Sequence, residues 1–285
     1  MKKHAEDLRP LISVHGGHSG EFCGHAEDTL EEVVAEYHRQ GFAWVGLTEH
    51  MPPSADRFRY VEEVEAGLTV GDLEARFERY MNTARALQAA YRGKMDIAVG
   101  FETEGYTGAI ELARELVQRY RPDYVVGSVH HVHDQMIDFS PELYGEAALT
   151  CGGLEELYCA YFDRQYELLS ALRPGVVGHF DLIRIFDPGY RETLTREPVR
   201  RRVERNLQYV AGYGGVLDLN VRALLKGARE PYISRRILVR ALELGIAVCP
   251  GDDSHGVASV GSRIEDALVL LESLGVSGAW RLPVG

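Results

Sequence analysis

The sequence predicts a parallel α/β fold whose strands close into a barrel, and three observations lead there. Short, Val-rich apolar runs alternate with stretches of helical periodicity, about seven times along the chain. The runs are nearly continuously apolar, as strands covered on both faces are. A polar cluster follows every run. Clusters spread evenly over all the strand ends favour a barrel, where those ends converge on one face, over an open sheet with a single switch point.

The elements follow in order. Leu11–Val14 reads as the first strand, and Glu27–Gln40 as a helix that opens acidic and stops at Gly41. Ala43–Leu47 is the second strand. Pro52–Thr69 is the longest irregular stretch, a lid or a surface excursion, and Leu73–Tyr91 is the second helix. Ile97–Phe101 leads to Ala109–Tyr120, and Tyr124–Val129 to Leu154–Leu172. Val176–Gly178, Gly215–Leu219 and Ile246–Cys249 are the last strands, followed by helices over Pro198–Ala211, Ser234–Leu244 and Ile264–Leu274. Gly212-Tyr-Gly-Gly follows a helix and precedes a strand, so it reads as a helix stop rather than a dinucleotide loop. No linker or repeat divides the chain, and residues 1–285 read as one domain.

Composition narrows the function. Lys and Arg number 31 against 43 Asp and Glu, a net charge of −12 that argues against nucleic acid or an anionic membrane as partner. No apolar run has signal-peptide or membrane-span character, and Cys23, Cys151, Cys159 and Cys249 form no CxxC pair. The expected location is the cytoplasm, with reduced thiols. No nucleophile elbow or Walker A loop appears.

The strand ends carry the chemistry. In order they deliver His15-Gly-Gly-His18 with Cys23-Gly-His25, Thr48-Glu49-His50, Glu102-Thr-Glu104, His130-His131-Val-His133, His179-Phe-Asp181, Asn220 with Arg222 and Lys226, and Asp252-Asp253-Ser-His255. A lone histidine at a strand end is more often a hydrogen-bonded core residue than a ligand. Seven histidines with a Glu and an Asp are instead a donor set for divalent Zn, Fe or Mn, and too many for one ion. Two or three ions sharing a carboxylate are expected. His4 and His38 fall outside the pattern and read as surface residues. His131 and His133 are left as outer-layer groups, substrate contacts or bystanders, and Cys23 as a thiol packed near the metals.

These motifs, with Gly100-Phe-Glu102, Gly127-Ser-Val-His130, Gly178-His179-Phe-Asp181 and Gly251-Asp-Asp253-Ser-His255, resemble the PHP (polymerase and histidinol phosphatase) family, most of all its histidinol-phosphatase branch. The resemblance runs from residue 15 to residue 255. It implies a distorted (β/α)7 barrel with a trinuclear metal centre at the C-terminal strand ends. By motif, His15, His18, Glu102 and Asp253 would hold one ion, Glu102 with His130 and His179 a second, and His25, His50 and His255 a third. Glu102, Asp253 and His255 are the implied catalytic residues. The implied reaction is hydrolysis of a small phosphate ester, L-histidinol phosphate first, by in-line attack of a metal-bridging hydroxide.

Two departures from the family pattern stand out. The spacing is His-x-x-His where the family has His-x-His, and an ideal strand would aim His15 and His18 to opposite faces unless Gly16 and Gly17 bend it. The usual arginine after the sixth strand is Leu225 here, with Arg222 and Lys226 as substitutes. Arg184, Asn220, Arg222, Lys226, Glu104 and His131 are the candidate substrate contacts, Glu104 for the histidinol amine and Arg184 for the phosphate. Asp181, Asp252 and His131 are candidate general acids. Another PHP phosphoesterase and a non-catalytic metal-bound module are the alternatives. A barrel with a carboxylated lysine is disfavoured, because Lys2, Lys3, Lys94 and Lys226 all lie away from the fourth strand end.

Overall fold

The computed structural model describes residues 9–283. Seven parallel strands lie in chain order: β1 (Leu11–Ser13), β2 (Phe42–Leu47), β3 (Asp96–Glu102), β4 (Tyr124–Gly127), β5 (Val176–Val177), β6 (Val216–Asn220) and β7 (Ala247–Gly251). β1 also meets β7, since the Val14 amide donates to the Pro250 carbonyl at 3.0 Å, so the sheet curls into a nearly closed barrel. The main helix after each strand is α1 (Leu30–Arg39), α2 (Val70–Ala90), α3 (Ala109–Tyr120), α4 (Leu154–Leu172), α5 (Glu197–Tyr213), α6 (Arg235–Glu243) and α7 (Ile264–Ser273), with shorter helices elsewhere between strands. Local chemistry explains their ends. Thr29 and Glu32 form a capping box at the start of α1, Thr69 and Asp72 do so for α2, and Gly214 closes α5 in the left-handed region.

The strand period of two sorts the side chains. Val45, Leu47, Val99, Phe101, Leu217 and Leu219 pack outward against the helices. Ile12, Val14, Trp44, Ala98, Tyr124, Val126, Val176, Val216 and Cys249 fill the barrel itself. Continuing each inward row upward gives Glu102 from Ala98, Asp218 from Val216 and His130 from Val126. The barrel is therefore apolar below and polar above.

Two segments differ from the sequence reading. A hairpin pairing His131–Val132 with Gln135–Met136 and a helix over Pro141–Cys151 intervene between β4 and α4. That helix buries only Tyr144 and Ala147 and leaves Leu149 exposed, so its apolar periodicity is faint. The Pro52–Thr69 stretch contains a helical turn at Asp56–Phe58 and a short helix at Val61–Glu65. Phe58 stacks on Tyr106 with centroids 4.3 Å apart, which ties the segment to the barrel mouth. No helix among the described residues is long and apolar enough to cross a membrane.

Candidate metal centre

Glu102 ends β3, is 1% exposed, and is the hub of the site. Oε2 lies 3.2 Å from His15 Nε2, 3.4 Å from His50 Nδ1 and 3.9 Å from His18 Nε2. Oε1 lies 2.9 Å from His179 Nε2 and 3.5 Å from His130 Nε2. Asp253 Oδ1 is 3.5 Å from His18 Nε2, and also from His255 Nδ1. The His25 and His255 rings stack at 5.0 Å beside His50, and the Cys23 sulfur lies 3.3 Å from His25 Nε2. All nine side chains expected as ligands from the sequence thus meet at one end of the barrel.

The His-x-x-His spacing is accommodated because β1 ends at Ser13, so the strand phase is lost before His15. Gly17 takes φ +77°, a conformation that favours glycine. The Gly16 amide donates to Thr48 Oγ1, the Gly17 amide to Ser254 Oγ, and the His18 amide to the Ser254 carbonyl. The bend is therefore clamped between the ends of β2 and β7, and both imidazoles face Glu102. Space comes from other glycines: a Cβ at Gly251 would lie 2.1 Å from Asp218 Oδ1, and one at Gly178 would lie 3.3 Å from His15 Cε1.

Buried carboxylates behind the ring orient the imidazoles. His15 Nδ1 donates to Asp218 at 2.8 Å and His18 Nδ1 to Glu49 at 2.9 Å. His50 Nδ1 and His130 Nδ1 donate to opposite oxygens of Glu104, at 3.0 and 3.1 Å. Tyr60 Oη reaches both of those oxygens at 2.9 Å. Such partners fix the ring orientation and raise its basicity as a ligand. Asp218, Glu49 and Tyr60 were missed in the sequence. Asp218 is an acid inside an otherwise apolar, doubly covered strand, which was a usable signal; Tyr60 carried none.

The residues fit divalent metal. The buried Nε2 atoms of His15 and His18 have no hydrogen-bond partner, yet both aim at the Glu102 and Asp253 oxygens. Triads such as His15–His18–Glu102 and His18–Asp253–His255 hold their donor atoms within 4.8 Å of one another. Charge balance agrees. Burial alone would raise the Glu102 carboxyl, but the His15, His130 and His50 charges hold it well below the usual carboxylate range. Burial would lower His50, but Glu102 and Glu104 push it up to about 9, and Glu102 and Asp253 likewise raise His15. Burial, then the His50 and His18 charges, lowers His25 to about 3. Part of the metal-free ring is thus imidazolium at neutral pH, and a metal must displace those protons. Zinc added to metal-free protein near pH 7 is expected to release at least about one proton per chain, with apparent affinity rising with pH toward about 9. An indicator titration checks this; no proton release would contradict it.

The substrate candidates separate into two sets. Arg222 and Lys226 line a cavity of 280 Å³ above the centre, with His25, His50, Tyr60, Glu62, Glu102, His130, Asp138, Phe139, His179, Leu182, Tyr232, Asp253 and His255. Arg222 also donates from Nη1 to the Asp253 carbonyl at 2.9 Å. The other four candidates do not line this cavity and are engaged elsewhere. Arg184 donates to the Glu230 and Pro231 carbonyls between the rings of Tyr190 and Tyr232. Asn220 Nδ2 donates to Asp218 and Asp253, so it holds acids rather than substrate. Both Glu104 oxygens are taken, as above. His131 is 2% exposed behind Glu104, edge-on to Tyr106.

None of the three candidate general acids lines the cavity either. Asp181 accepts from the Ser234 amide, and Asp252 accepts from Ser13, Tyr37 and the Gly261 amide. His38 and His133 are exposed and Cys23 is buried, while His4 lies outside the described residues.

Replacing Asp218 with asparagine should lower metal affinity about 10- to 100-fold, because His15 loses its charged partner. Chelator competition measures this, and circular dichroism should show the fold retained.

Barrel and site together define a metal-centred α/β enzyme scaffold, and the PHP domain matches residues 16–222: the chain belongs to the PHP family. Its relatives are more particular. It is 38% identical over 278 residues to the probable histidinol-phosphatase of Schizosaccharomyces pombe, covering 96% of this chain and 90% of that one. It is 33% identical to the histidinol-phosphatase of Saccharomyces cerevisiae, covering 87% and 84%. Among solved structures it resembles the putative histidinol phosphatase of Listeria monocytogenes, at TM-score 0.77 and 25% identity over 90% of this chain and 99% of that one. It shares its fold with the Lactococcus lactis histidinol phosphate phosphatase solved with zinc, L-histidinol and phosphate, at TM-score 0.72 and 20% identity over 94% and 95%.

Proposed function

We propose that this chain hydrolyses L-histidinol phosphate to L-histidinol and phosphate at a centre of two or three divalent ions, zinc, iron or manganese. The observation that carries the reading is the cavity: its floor is the imidazole–carboxylate ring around Glu102, and its wall carries Arg222 and Lys226. Near-full-length similarity to histidinol-phosphatases supports the choice of ester.

The ligand sets proposed are His15, His18, Glu102 and Asp253; Glu102, His130 and His179; and His25, His50 and His255. When bound, the ions neutralise phosphate charge and supply hydroxide at neutral pH. The protein does the rest. Glu102 shares its two oxygens between the His15 and His179 sides of the ring, which fits a bridging role. Asp253 and His255 close the floor on the Arg222 side. Arg222 and Lys226 grip the phosphate oxygens, and so provide the positive charge that Leu225 does not. The ester C–O side faces Tyr232, Leu182 and Phe139. Asp181, Asp252 and His131 do not line the cavity, so none of them is placed to protonate the leaving alkoxide.

The test is phosphate release from L-histidinol phosphate by protein loaded in turn with Mn²⁺, Zn²⁺ and Fe²⁺, beside nucleoside monophosphates and sugar phosphates. Selective release from histidinol phosphate is expected. Turnover of another ester instead would move the chain to a different phosphoesterase.

A further inference from the structure

One carboxylate in the cavity is engaged by nothing. Asp138 lines it, partly buried, next to Phe139, which is 44% exposed, and in the same cavity as Leu182, Tyr60 and Tyr232. Among the described residues its carboxylate accepts no hydrogen bond and forms no ion pair. Its charge nevertheless acts on phenols that line the same cavity. It adds to the burial that raises Tyr60, and it adds to the acids that raise Tyr232 against Arg184. Asp138 therefore presents an uncompensated negative charge to the cavity interior.

Apart from Glu62, the other acids near this space are committed. Glu102 and Asp253 face the imidazole ring. Glu62, which also lines the cavity, has Oε1 3.9 Å from His25 Nδ1, and its buried Oε2 accepts no hydrogen bond. Glu104 is saturated by His50, His130 and Tyr60. The cavity is thus bipolar, with Arg222 and Lys226 as its cations; of its acids, Asp138 is the one set among aromatic and aliphatic side chains, whereas Glu62 sits beside His25. Such a space suits a ligand with a dianionic group at one end and a cationic, partly apolar group at the other.

We propose that Asp138 binds the ammonium group of the phosphate ester, with Phe139 and Tyr232 against its organic part, and so determines specificity for amino-alcohol phosphates. This rests on the histidinol-phosphate reading above. A partly desolvated ammonium–carboxylate hydrogen bond is worth about 10- to 100-fold in binding. An ester without the amine gains nothing from it.

The experiment compares wild type, Asp138→Asn and Asp138→Glu on L-histidinol phosphate and on its desamino counterpart, imidazolylpropyl phosphate, with metal content measured for each. Asp138→Asn is expected to raise KM for histidinol phosphate about 10- to 100-fold, with kcat falling much less, and to erase the preference over the desamino ester. Asp138→Glu should restore part of that preference. Equal losses on both esters would overturn the assignment, as would an unchanged preference or a loss that tracks reduced metal content. The same preference lost in Glu62→Gln and kept in Asp138→Asn would move the role to Glu62. Wild-type protein that releases phosphate only from esters lacking an amine would overturn the function and this assignment together. A wild type that prefers histidinol phosphate leaves the function standing whatever Asp138→Asn does.

Discussion

Glu102→Gln is expected to lower kcat by at least about 10³-fold, roughly 4 kcal/mol in the barrier, and to strip most of the bound metal. The side chain keeps its volume, so the change isolates charge. Glu102 meets five imidazoles at 2.9 to 3.9 Å from its two oxygens. An amide offers one acceptor and an NH₂ group where two anionic oxygens stood. The NH₂ would face either the His15–His50 side or the His130–His179 side, and that side could no longer share an ion. In the metal-free protein the raised basicity of His15 and His50 should also diminish, because Glu102 is the largest charge raising each, with Asp253 and Asp218 still raising His15 and Glu104 still raising His50. Metal analysis and phosphate release check the prediction, with a thermal melt to show that the variant folds. Full activity at full metal content would exclude the bridging role.

Gly16→Ala is expected to cost about 2 to 3 kcal/mol of stability and to lower metal occupancy as well. A Cβ there would lie 2.5 Å from Asp252 Oδ1, 2.7 Å from Tyr37 Oη and 3.2 Å from the Ser254 amide nitrogen. None of these can yield freely. Tyr37 is fully buried, and its hydroxyl bonds to both Asp252 and Ser254 at 2.7 Å. Asp252 also accepts from Ser13 at 2.6 Å. The methyl group must therefore break a buried hydrogen-bond network or push the chain at its own position. His15 is the next residue, so the second response misplaces a ligand. Denaturant unfolding and metal content measure the two effects. A variant as stable and as metal-rich as the parent would show that the bend is not tightly held.

Much of this was legible because strand periodicity is local. The inward row Ala98, Gly100, Glu102 can be read from β3 alone, and the inward pair Tyr124 and Val126 that points toward His130 from β4 alone. Alternating helices and strands, with a polar group at every strand end, then require those groups to meet wherever the barrel closes. His15 was the hard case, since its phase is wrong for a straight strand. Gly16 and Gly17 hinted at the bend, but the direction of the bend is set by Thr48 and Ser254, which are far away in sequence.

The roles of individual polar side chains were not legible in this way. Arg184 and Asn220 have the right chemistry to hold phosphate, yet Arg184 Nη2 donates to the Pro231 carbonyl and Asn220 Nδ2 to Asp218, and neither residue lines the cavity. Glu104 has the right charge for an amine, yet two imidazoles and a phenol saturate it. Asp138 lies in a stretch with no strand-end signal, and became a candidate only when the hairpin after β4 brought it to the cavity wall.

The sequence by itself determined the fold class, the end of the barrel that is polar, and the donor types gathered there. These depend on spacing within single elements and on the kinds of side chain at their ends. Tertiary structure decided which donors remain free. His15 and Asp218 are 203 residues apart and touch only across the barrel. A buried polar group takes whichever partner the closed fold presents, because leaving it unpaired costs more than any local preference can offset.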